Sequence, residues 1–208
     1  MRKIMFSDKY GLTKAVLEGR KTMTRRVVPE CKALDILRHW EHNEGAIATG
    51  YEEHTHSFRF DYCPDKKRRT SIDHLNLIPF YKVGEIVAVA QSYEKICSDF
   101  ESGKYDNCGI DWEYINSYDV RDFPGFTNKM FVAADLMPHQ IRITDVRVER
   151  LQDISNEDCI KEGIGKNSDI MNYSSPREAF ASLIDRVSGK GTWQSNPWVF
   201  VYEFELVK

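Results

Sequence analysis

The sequence predicts an α+β domain built around a small, mostly antiparallel β-barrel with a few short helices. Short predicted strands, small helices and a bulge inside one strand indicate this class. The 208 residues fit one domain with insertions, because a typical domain has ~150 residues. We expect a single domain over residues 1–208, with two long irregular insertions at about 29–80 and 94–130.

The first two predicted elements are a helix and a strand on either side of a basic turn. Leu12, Ala15 and Val16 have helical spacing, and Gly19 is suited to end the helix as a left-handed cap. A short strand is predicted over Thr24–Val28, and the proline that follows it ends the strand.

The middle of the chain is predicted to hold one buried strand between the two insertions. Residues 29–80 show no sustained period, which predicts little regular structure there. The unbroken apolar run Ile86–Ala90 predicts a strand that is buried on both faces. Residues 94–130 are irregular again and rich in aromatic residues and Asp.

The C-terminal part alternates strands with capped helices. A strand is predicted over Gln140–Leu151, with a bulge near Thr144-Asp145 where the apolar residues change parity. Ser155 and Ser175 each begin a capping box, the first followed by a short helix and the second by a longer one. The last strand, Trp198–Leu206, has an almost wholly aromatic face.

Composition excludes several classes of protein. The net charge of −3 and the pI near 6.1 exclude a globally basic nucleic-acid coat. No apolar run approaches the ~18 residues of a membrane span, and the basic N-terminus has no apolar segment of a signal peptide behind it. The five cysteines are scattered, as expected for free thiols in the cytoplasm: Cys31, Cys63, Cys97, Cys108 and Cys159.

The densest polar segment is Gly19–Arg26, with four cations and two hydroxyls in eight residues. Such a turn is suited to bind an anionic ligand such as a phosphate. Neighbouring cations are also expected to lower the pKa of Lys21, and a neutral lysine beside the Thr24 hydroxyl is one way to activate a nucleophile. The alternative is a solvated basic turn, which is favourable at a helix C-terminus.

The run Glu18–Arg26 resembles the N-terminal motif of ASCH-domain proteins, a branch of the PUA-like superfamily. The resemblance continues in the family's order at five further segments: Lys82–Glu85, Arg142–Leu151, Ile154-Ser155, Lys161–Ile164 and Asn196–Phe204. Matching segments cover about half of the chain and none of either insertion. The layout is similar to the longer members found in phages, prophages and Bacteroides-type bacteria.

The resemblance implies a PUA-like barrel with a cleft beside the helix–turn–strand motif. PUA-like domains commonly bind RNA, and ASCH domains are proposed to act on RNA or modified nucleosides. One branch resembles an amidohydrolase that deacylates N4-acetylcytidine with a Lys, a Thr and a Glu. These fall on Lys21, Thr24 and Glu162, which would accept a proton, attack the amide carbonyl and assist the leaving amine, respectively.

The sequence departs from the family at two places. Ala90 and Gln91 stand where many ASCH members carry an Arg and a Glu that line the cleft. An amide can hydrogen-bond a base edge or a carbonyl, but it cannot act as an acid or a base. His139 stands where long members carry an Arg. It either contacts phosphate or titrates near neutral pH, or it is a loop histidine that only fills the surface.

Three other clusters have a functional and a plain interpretation. His54, His56 and Cys63 lack any established ligand spacing, so we expect no metal site. The basic run 66–69 either contacts a phosphate backbone or is a solvated loop. Aromatic residues in the second insertion either stack on bases or bury the insertion against the barrel: Tyr93, Tyr105, Trp112, Tyr114, Tyr118, Phe123 and Phe126.

The leading hypothesis is a cytoplasmic domain that binds RNA or a modified nucleoside or nucleotide in a basic cleft, without a cofactor or a metal. The anion contacts are expected from Arg20, Lys21, Thr24, Arg25 and Arg26, with Gln91 and Glu162 facing them. The first alternative is a hydrolase of N4-acylated cytidine or of RNA phosphodiesters that uses Lys21, Thr24 and Glu162. The second is a phage-related interaction or assembly factor with a protein partner.

Overall fold

A computed structural model describes residues 1–65, 67–68, 70–104, 120–122, 124–164 and 173–207, and their architecture is α+β, as the sequence predicts. The strands are β1 (Arg2–Ile4), β2 (Met23–Val27), β3 (Ala46–Glu52), β4 (Ser57–Tyr62), β5 (Asp73–Leu77), β6 (Ile86–Val89), β7 (Gln140–Arg150) and β8 (Trp198–Val207). The helices are α1 (Leu12–Leu17), α2 (Lys32–His42), α3 (Tyr93–Glu101), α4 (Asn156–Lys161), α5 (Pro176–Ser188) and α6 (Thr192–Ser195).

The larger sheet has five strands in the order β1-β6-β7-β8-β2. All neighbours are antiparallel except β1 and β6, which run parallel. The register between β7 and β8 shifts between Ile143 and Asp145, which confirms the predicted bulge. The long β7–β8 ladder is therefore the centre of the sheet.

The described strands do not close into the predicted barrel. β1 and β2 are the two edges of the larger sheet and share no backbone ladder. A side chain bridges them instead, because an Arg26 guanidinium nitrogen donates to the Met5 carbonyl just after β1. β1 has only three residues, so even full pairing with β2 would give a ladder of very few hydrogen bonds.

Local signals place the helices as predicted. Gly19, at φ 69°, ends the turn after α1 in the left-handed conformation. The Ser155 hydroxyl accepts from the Asp158 N–H at the start of α4, at 3.0 Å. The Ser175 hydroxyl does the same for Glu178 at the start of α5, at 3.2 Å.

The prediction that residues 29–80 have little regular structure is wrong. They contain α2 and a three-stranded antiparallel sheet in the order β3-β4-β5. Their apolar side chains pack against the larger sheet, with ring centroids of Phe58 and Phe200 6.1 Å apart and those of Phe60 and Trp198 5.3 Å apart. This second sheet is stable because tertiary burial compensates for its weak sequence pattern.

The second stretch also begins with regular structure. Helix α3 occupies residues that we expected to be irregular, and the Ser92 hydroxyl caps it by accepting from the Lys95 N–H at 3.3 Å. Residues 105–119 and 123 lie outside the described residues. The predicted roles of Tyr105, Trp112, Tyr114, Tyr118 and Phe123 therefore fall on residues that the structure does not describe.

The core lies on both faces of β8. Phe200, Tyr202 and Phe204 face the cluster that includes the second sheet, so the predicted aromatic face is buried there. Val199 and Val201 are fully buried against α4 and α5 on the other side. A helix long and apolar enough to cross a bilayer is absent from the described residues.

Candidate functional site

Lys21 lies where the end of α1 meets the end of α4. Its backbone N–H donates to Ala15 O, and the next N–H, of Thr22, donates to Lys161 O, each at 2.9 Å. Gly163 has φ 92°, and a Cβ there would lie 3.1 Å from the Lys21 Cβ. The glycine after α4 therefore allows a close approach that a larger residue would obstruct.

The Lys21 side chain is 2% exposed, and its amine is surrounded by acceptors. Nζ donates to Met23 O at 2.7 Å, to Glu162 O at 2.7 Å and to Glu162 Oε2 at 2.6 Å. As an ammonium group it uses all three of its donors within the protein. Its charge is held in place and is compensated by one carboxylate.

The pKa of Lys21 is lowered, as the sequence predicts, but the main cause is different. Burial makes the largest contribution, and the charges of Arg26 and Arg25 lower the pKa further. Glu162 opposes both effects, because its carboxylate favours the charged amine. The crowding of cations that motivated the prediction is thus the smaller cause.

Arg25 is the centre of a buried ion-pair network. Its fully buried guanidinium contacts Glu149 Oε1 at 2.7 Å, Asp158 Oδ2 at 2.8 Å and Glu162 Oε1 at 3.2 Å. Burial acts to lower the pKa of Arg25, but these carboxylates outweigh it and raise the pKa. Since three carboxylates already occupy its donors, Arg25 has no free face for a ligand phosphate.

Sequence reasoning missed the partners that build this network. Arg147 on β7 donates to Asp158 Oδ2 at 2.9 Å and to Glu203 Oε1 at 2.7 Å. Asp158 lies in the first turn of α4, in the capping box that Ser155 begins, and its side chain joins Arg25 to Arg147. The available signal was that Arg147 and Glu149 lie two residues apart and therefore share one face of the strand. This signal is ambiguous, because charged residues with the same spacing also occur on solvated faces.

Thr24 has a hydroxyl group that takes no part in this ion-pair network. It lies on β2 opposite Tyr202 of β8, and the residue is 5% exposed. Among the described residues, no hydrogen-bond partner is found for its Oγ1. The hydroxyl is therefore available to a ligand or a substrate.

These residues line one cavity of about 500 Å³, which we call the first cavity. Five of the predicted site residues meet there: Lys21, Thr24, Arg25, Arg26 and Glu162. Its walls include the rings of Phe6, Phe180 and Trp198. The structure thus combines a paired polar floor with aromatic walls in a volume typical of small-molecule sites.

Other cations of the first cavity are also engaged. Arg38, from the first insertion, contacts Glu30 at 2.6 Å, and Arg150 stacks over the Trp198 ring at 4.6 Å. The Arg26 guanidinium lies 5.6 Å from the centroid of the Phe6 ring. Helix α2 contributes Leu34 and Arg38 to the lining of the first cavity. Sequence reasoning missed this contribution because it predicted no helix in residues 29–80.

Arg20 lies outside the first cavity. Its side chain is half exposed and pairs with Glu18 at 2.5 Å. The charge of Arg20 is satisfied on the surface of the turn, so the expected anion contact is not part of the observed arrangement. Of the cations predicted between residues 20 and 26, the structure brings three to the cavity.

Gln91 and His139 do not face the predicted basic residues. Both line a different cavity of about 890 Å³, which we call the second cavity, between α1 and α3. Burial and the charge of Lys104 lower the pKa of His139, whereas Asp99 raises it. The two candidate sites of the sequence analysis are therefore separate in space.

The departure at Ala90 has a packing explanation. Ala88 and Ala90 are fully buried in a small cluster with Ile96, Val132 and Met137. An arginine side chain at position 90 would have to displace these neighbours. The small residue therefore fits the segment that packs against α3 in this chain.

The described residues contain no group of three or more His, Cys, Asp or Glu side chains placed to hold a metal ion. His56 instead contacts the Tyr51 hydroxyl, at 3.1 Å from its Nδ1, and Cys63 is buried. In the basic run, positions 66 and 69 lie outside the described residues.

Comparison with known proteins gives one structural likeness. The crystal structure of an ASCH domain from Lactobacillus crispatus JV V101 aligns with 97% of this chain and 75% of that chain, at 12% identity and a TM-score of 0.37. No family model and no curated protein match the sequence. An alignment this distant carries no argument about function, so the resemblance to ASCH domains rests on the sequence motifs.

Proposed function

We propose that this chain is an ASCH-type domain that binds a modified nucleoside in the first cavity. One observation carries the proposal: four residues of the motif-like run, Lys21, Thr24, Arg25 and Arg26, line a single cavity of about 500 Å³ together with Glu162. Such a volume is typical of sites for small ligands. Three aromatic side chains in its walls offer surfaces on which a base can stack.

The charge arrangement favours a nucleoside over an RNA backbone. Proteins bind a phosphate backbone through Lys and Arg side chains that neutralise the phosphates and release the counterions of the nucleic acid. Here Lys21 and Arg25 are compensated by buried carboxylates, and Arg38 is paired with Glu30. A ligand without phosphates does not depend on free cations for its binding energy, and it can still form a hydrogen bond with the Thr24 hydroxyl.

Isothermal titration with N4-acetylcytidine and cytidine tests the proposal. We expect the dissociation constant to change little between 50 and 200 mM salt, whereas binding through several phosphates would weaken steeply over that range. Thr24→Val should weaken binding about tenfold by removing one hydrogen bond. Arg20→Gln, outside the cavity, is the matched control and should bind as the wild type does; failure of both nucleosides to bind would overturn the proposal.

Hydrolysis of the acyl amide is a second candidate function, and the unpaired Thr24 hydroxyl favours it. Attack of Thr24 Oγ1 on the acyl carbon would break the C–N bond, leave an acyl ester on Thr24 and release the amine after it gains a proton. Water would then hydrolyse the ester and restore the hydroxyl. Lys21 would take the proton from the Thr24 hydroxyl. Glu162, which is buried and hydrogen-bonded to Lys21, would return a proton to the leaving amine.

The resting geometry sets one requirement for this chemistry. Lys21 Nζ donates to three acceptors as an ammonium group, so it must first transfer one proton, for which the Glu162 carboxylate is the hydrogen-bonded acceptor, before it can accept a proton from Thr24. We therefore expect hydrolysis to require substrate in the cavity to rearrange the Lys21 contacts. Binding needs no such step, which makes it the function that the geometry supports best.

Chromatographic detection of cytidine released from N4-acetylcytidine separates the two functions. If hydrolysis occurs, Thr24→Val and Lys21→Met should each abolish release while the far-ultraviolet circular dichroism stays unchanged. Arg20→Gln should retain it. Binding of N4-acetylcytidine without any release would exclude the amidohydrolase and leave the binding proposal intact.

A further inference from the structure

Gln91 is a buried side chain whose carboxamide has no partner. The residue is 2% exposed, and neither its Oε1 nor its Nε2 has a hydrogen-bond partner within the part of the chain that the structure describes. Buried amide groups are almost always paired, because leaving one unpaired costs stability. An unpaired amide that lines a cavity of about 890 Å³ points to a ligand.

The backbone around Gln91 is held on both sides. The N–H of Ala90 donates to Ile4 O of β1 at 2.9 Å, and the N–H of Gln91 donates to Met137 Sδ at 3.3 Å. Ser92 follows directly and caps α3. The backbone that carries Gln91 is therefore fixed, which reduces the ordering that a ligand at this residue would require.

Charged groups around the second cavity are mostly paired with each other. Lys95 contacts Asp99 at 2.7 Å, and Lys104 lies 3.7 Å from the same carboxylate. Lys14 pairs with Glu18 at 3.7 Å. With acidic and basic side chains nearly balanced, this cavity favours an uncharged ligand over a phosphate or another polyanion.

The polar chemistry of Gln91 restricts the ligand further. A carboxamide offers one acceptor and one donor side by side in a plane, and it pairs with a planar group that offers the complementary donor and acceptor. The edges of nucleobases have this pattern, and glutamine pairs with adenine in this bidentate manner. A peptide backbone is less suitable, because none of the described residues that line the cavity belongs to a strand to which a peptide could add.

We propose that the second cavity is a binding site for an uncharged heterocyclic base, such as the base of a nucleoside, with Gln91 as the residue that recognises its edge. The proposal is independent of the first cavity, because no residue lines both. Its closest connection is the segment of residues 7–13, in which Ser7 and Leu12 line the first cavity and Asp8, Gly11 and Thr13 line the second.

Two variants of Gln91 test the site with adenosine as the probe. Gln91→Met keeps the length of the side chain but removes both hydrogen-bonding groups, so we expect adenosine to bind about ten- to a hundredfold more weakly. The ligand-free variant should also melt a few degrees higher, about 2–4 °C, because an unpaired buried amide has been removed. Gln91→Glu keeps two acceptors but no donor, and it should weaken binding as well.

A second ligand and a first-cavity variant provide the controls. N6,N6-dimethyladenosine keeps the ring surface and the ring-nitrogen acceptors but lacks the amino donor. Its affinity should therefore fall less than that of adenosine when residue 91 is changed from Gln to Met. Thr24→Val should bind adenosine as tightly as the wild type does if the second cavity holds it. Isothermal titration and thermal melting are sufficient for all of these comparisons.

The outcomes separate this site from the one in the first cavity. Loss of adenosine binding in Gln91→Met with retention in Thr24→Val supports a base site at Gln91, whatever the first cavity does. The inference is overturned if adenosine does not bind to the wild type, or if Gln91→Met binds it unchanged. In that case the cavity amide is satisfied by water alone, and binding of N4-acetylcytidine in the first cavity stands on its own test.

Discussion

The two cavities treat their buried polar groups in opposite ways. In the first, the Lys21 amine and the Arg25 guanidinium are enclosed by carboxylates and carbonyls of the protein itself. In the second, the Gln91 amide is equally buried but has no partner among the described residues. A fully paired cluster fixes a local structure, whereas an unpaired group leaves interaction energy available to a ligand.

This difference explains why density of charge in a sequence is a poor guide to a ligand contact. The Gly19–Arg26 segment is the most basic part of the chain, and yet its buried cations are compensated within the fold. The informative groups are those left over after this pairing. Among the described residues, the buried atoms left without a partner include the Trp198 indole nitrogen, from a residue that lines the first cavity, and the Gln91 amide, from a residue that lines the second. The Thr24 hydroxyl of the first cavity is also outside the ion-pair network.

Removing the shared carboxylate should have the largest effect on stability. Glu162→Ala leaves the buried Lys21 amine without its carboxylate and takes one partner from Arg25. We expect the free energy of unfolding to fall by about 3–5 kcal/mol, as when one partner of a buried ion pair is removed. Urea denaturation followed by circular dichroism measures the change.

Two further variants control this experiment. Glu162→Gln keeps an acceptor near Lys21 and should lose less stability than the alanine variant does. Glu18→Ala breaks an exposed pair of similar length, with Arg20, and should unfold as the wild type does. Equal losses in the buried and the exposed pair would contradict the distinction between a paired interior and a solvated turn.

The pH dependence of stability provides a test of Lys21 with a definite sign. Its pKa in the folded protein is below the usual lysine value of 10.5, so between these two pKa values the unfolded chain binds more protons than the folded one. The stability of the wild type relative to Lys21→Met should therefore rise with pH as 10.5 is approached, by at most about 1.4 kcal/mol per pH unit. Relative stability that falls over this range would show that Glu162 dominates and raises the pKa of Lys21.

Thr24→Val should have a small effect on stability but a large one on function. Valine keeps the branched shape and removes a hydroxyl that has no described partner, so the free energy of unfolding should stay the same or rise by up to about 1 kcal/mol. Nucleoside affinity should nevertheless fall as described above. A clear loss of stability would mean that the hydroxyl is paired within the folded protein.

The smallest effect is expected at Arg20, which the sequence placed among the anion contacts. Arg20→Gln changes a half-exposed side chain outside both cavities. Melting temperature and nucleoside affinity should both match those of the wild type. A loss of affinity at this position would extend the binding surface beyond the first cavity.

The sequence predicted those elements that local chemistry specifies. The helix before Gly19, the capped helix after Ser175 and the bulge near Asp145 were found because caps, turns and changes of parity act over a few residues. The small sheet was missed although Phe58 and Phe60 alternate, as expected of a strand. Its neighbours are polar, and only packing against the larger sheet stabilises it.

The candidate site was predicted in part for a similar reason. Lys21, Thr24 and Glu162 were found together because a family motif marks them, and the structure brings them to one cavity. Pairing of Arg25 with Asp158 and Glu149 depends on contacts across 133 and 124 residues of sequence. Separation of Gln91 from this group depends equally on how the chain folds back, which no local pattern specifies.

The packing of the inserted sheet has a consequence for how this chain can change during evolution. Phe58 and Phe60 touch the central strand β8 through Phe200 and Trp198, so the inserted segment forms part of the interior. Deleting residues 46–77 would leave those two aromatic rings of β8 facing water, and such an apolar surface promotes aggregation. The small sheet thus acts as a cover for the larger one, and a shortened chain would need polar side chains at positions 198 and 200 to stay in solution.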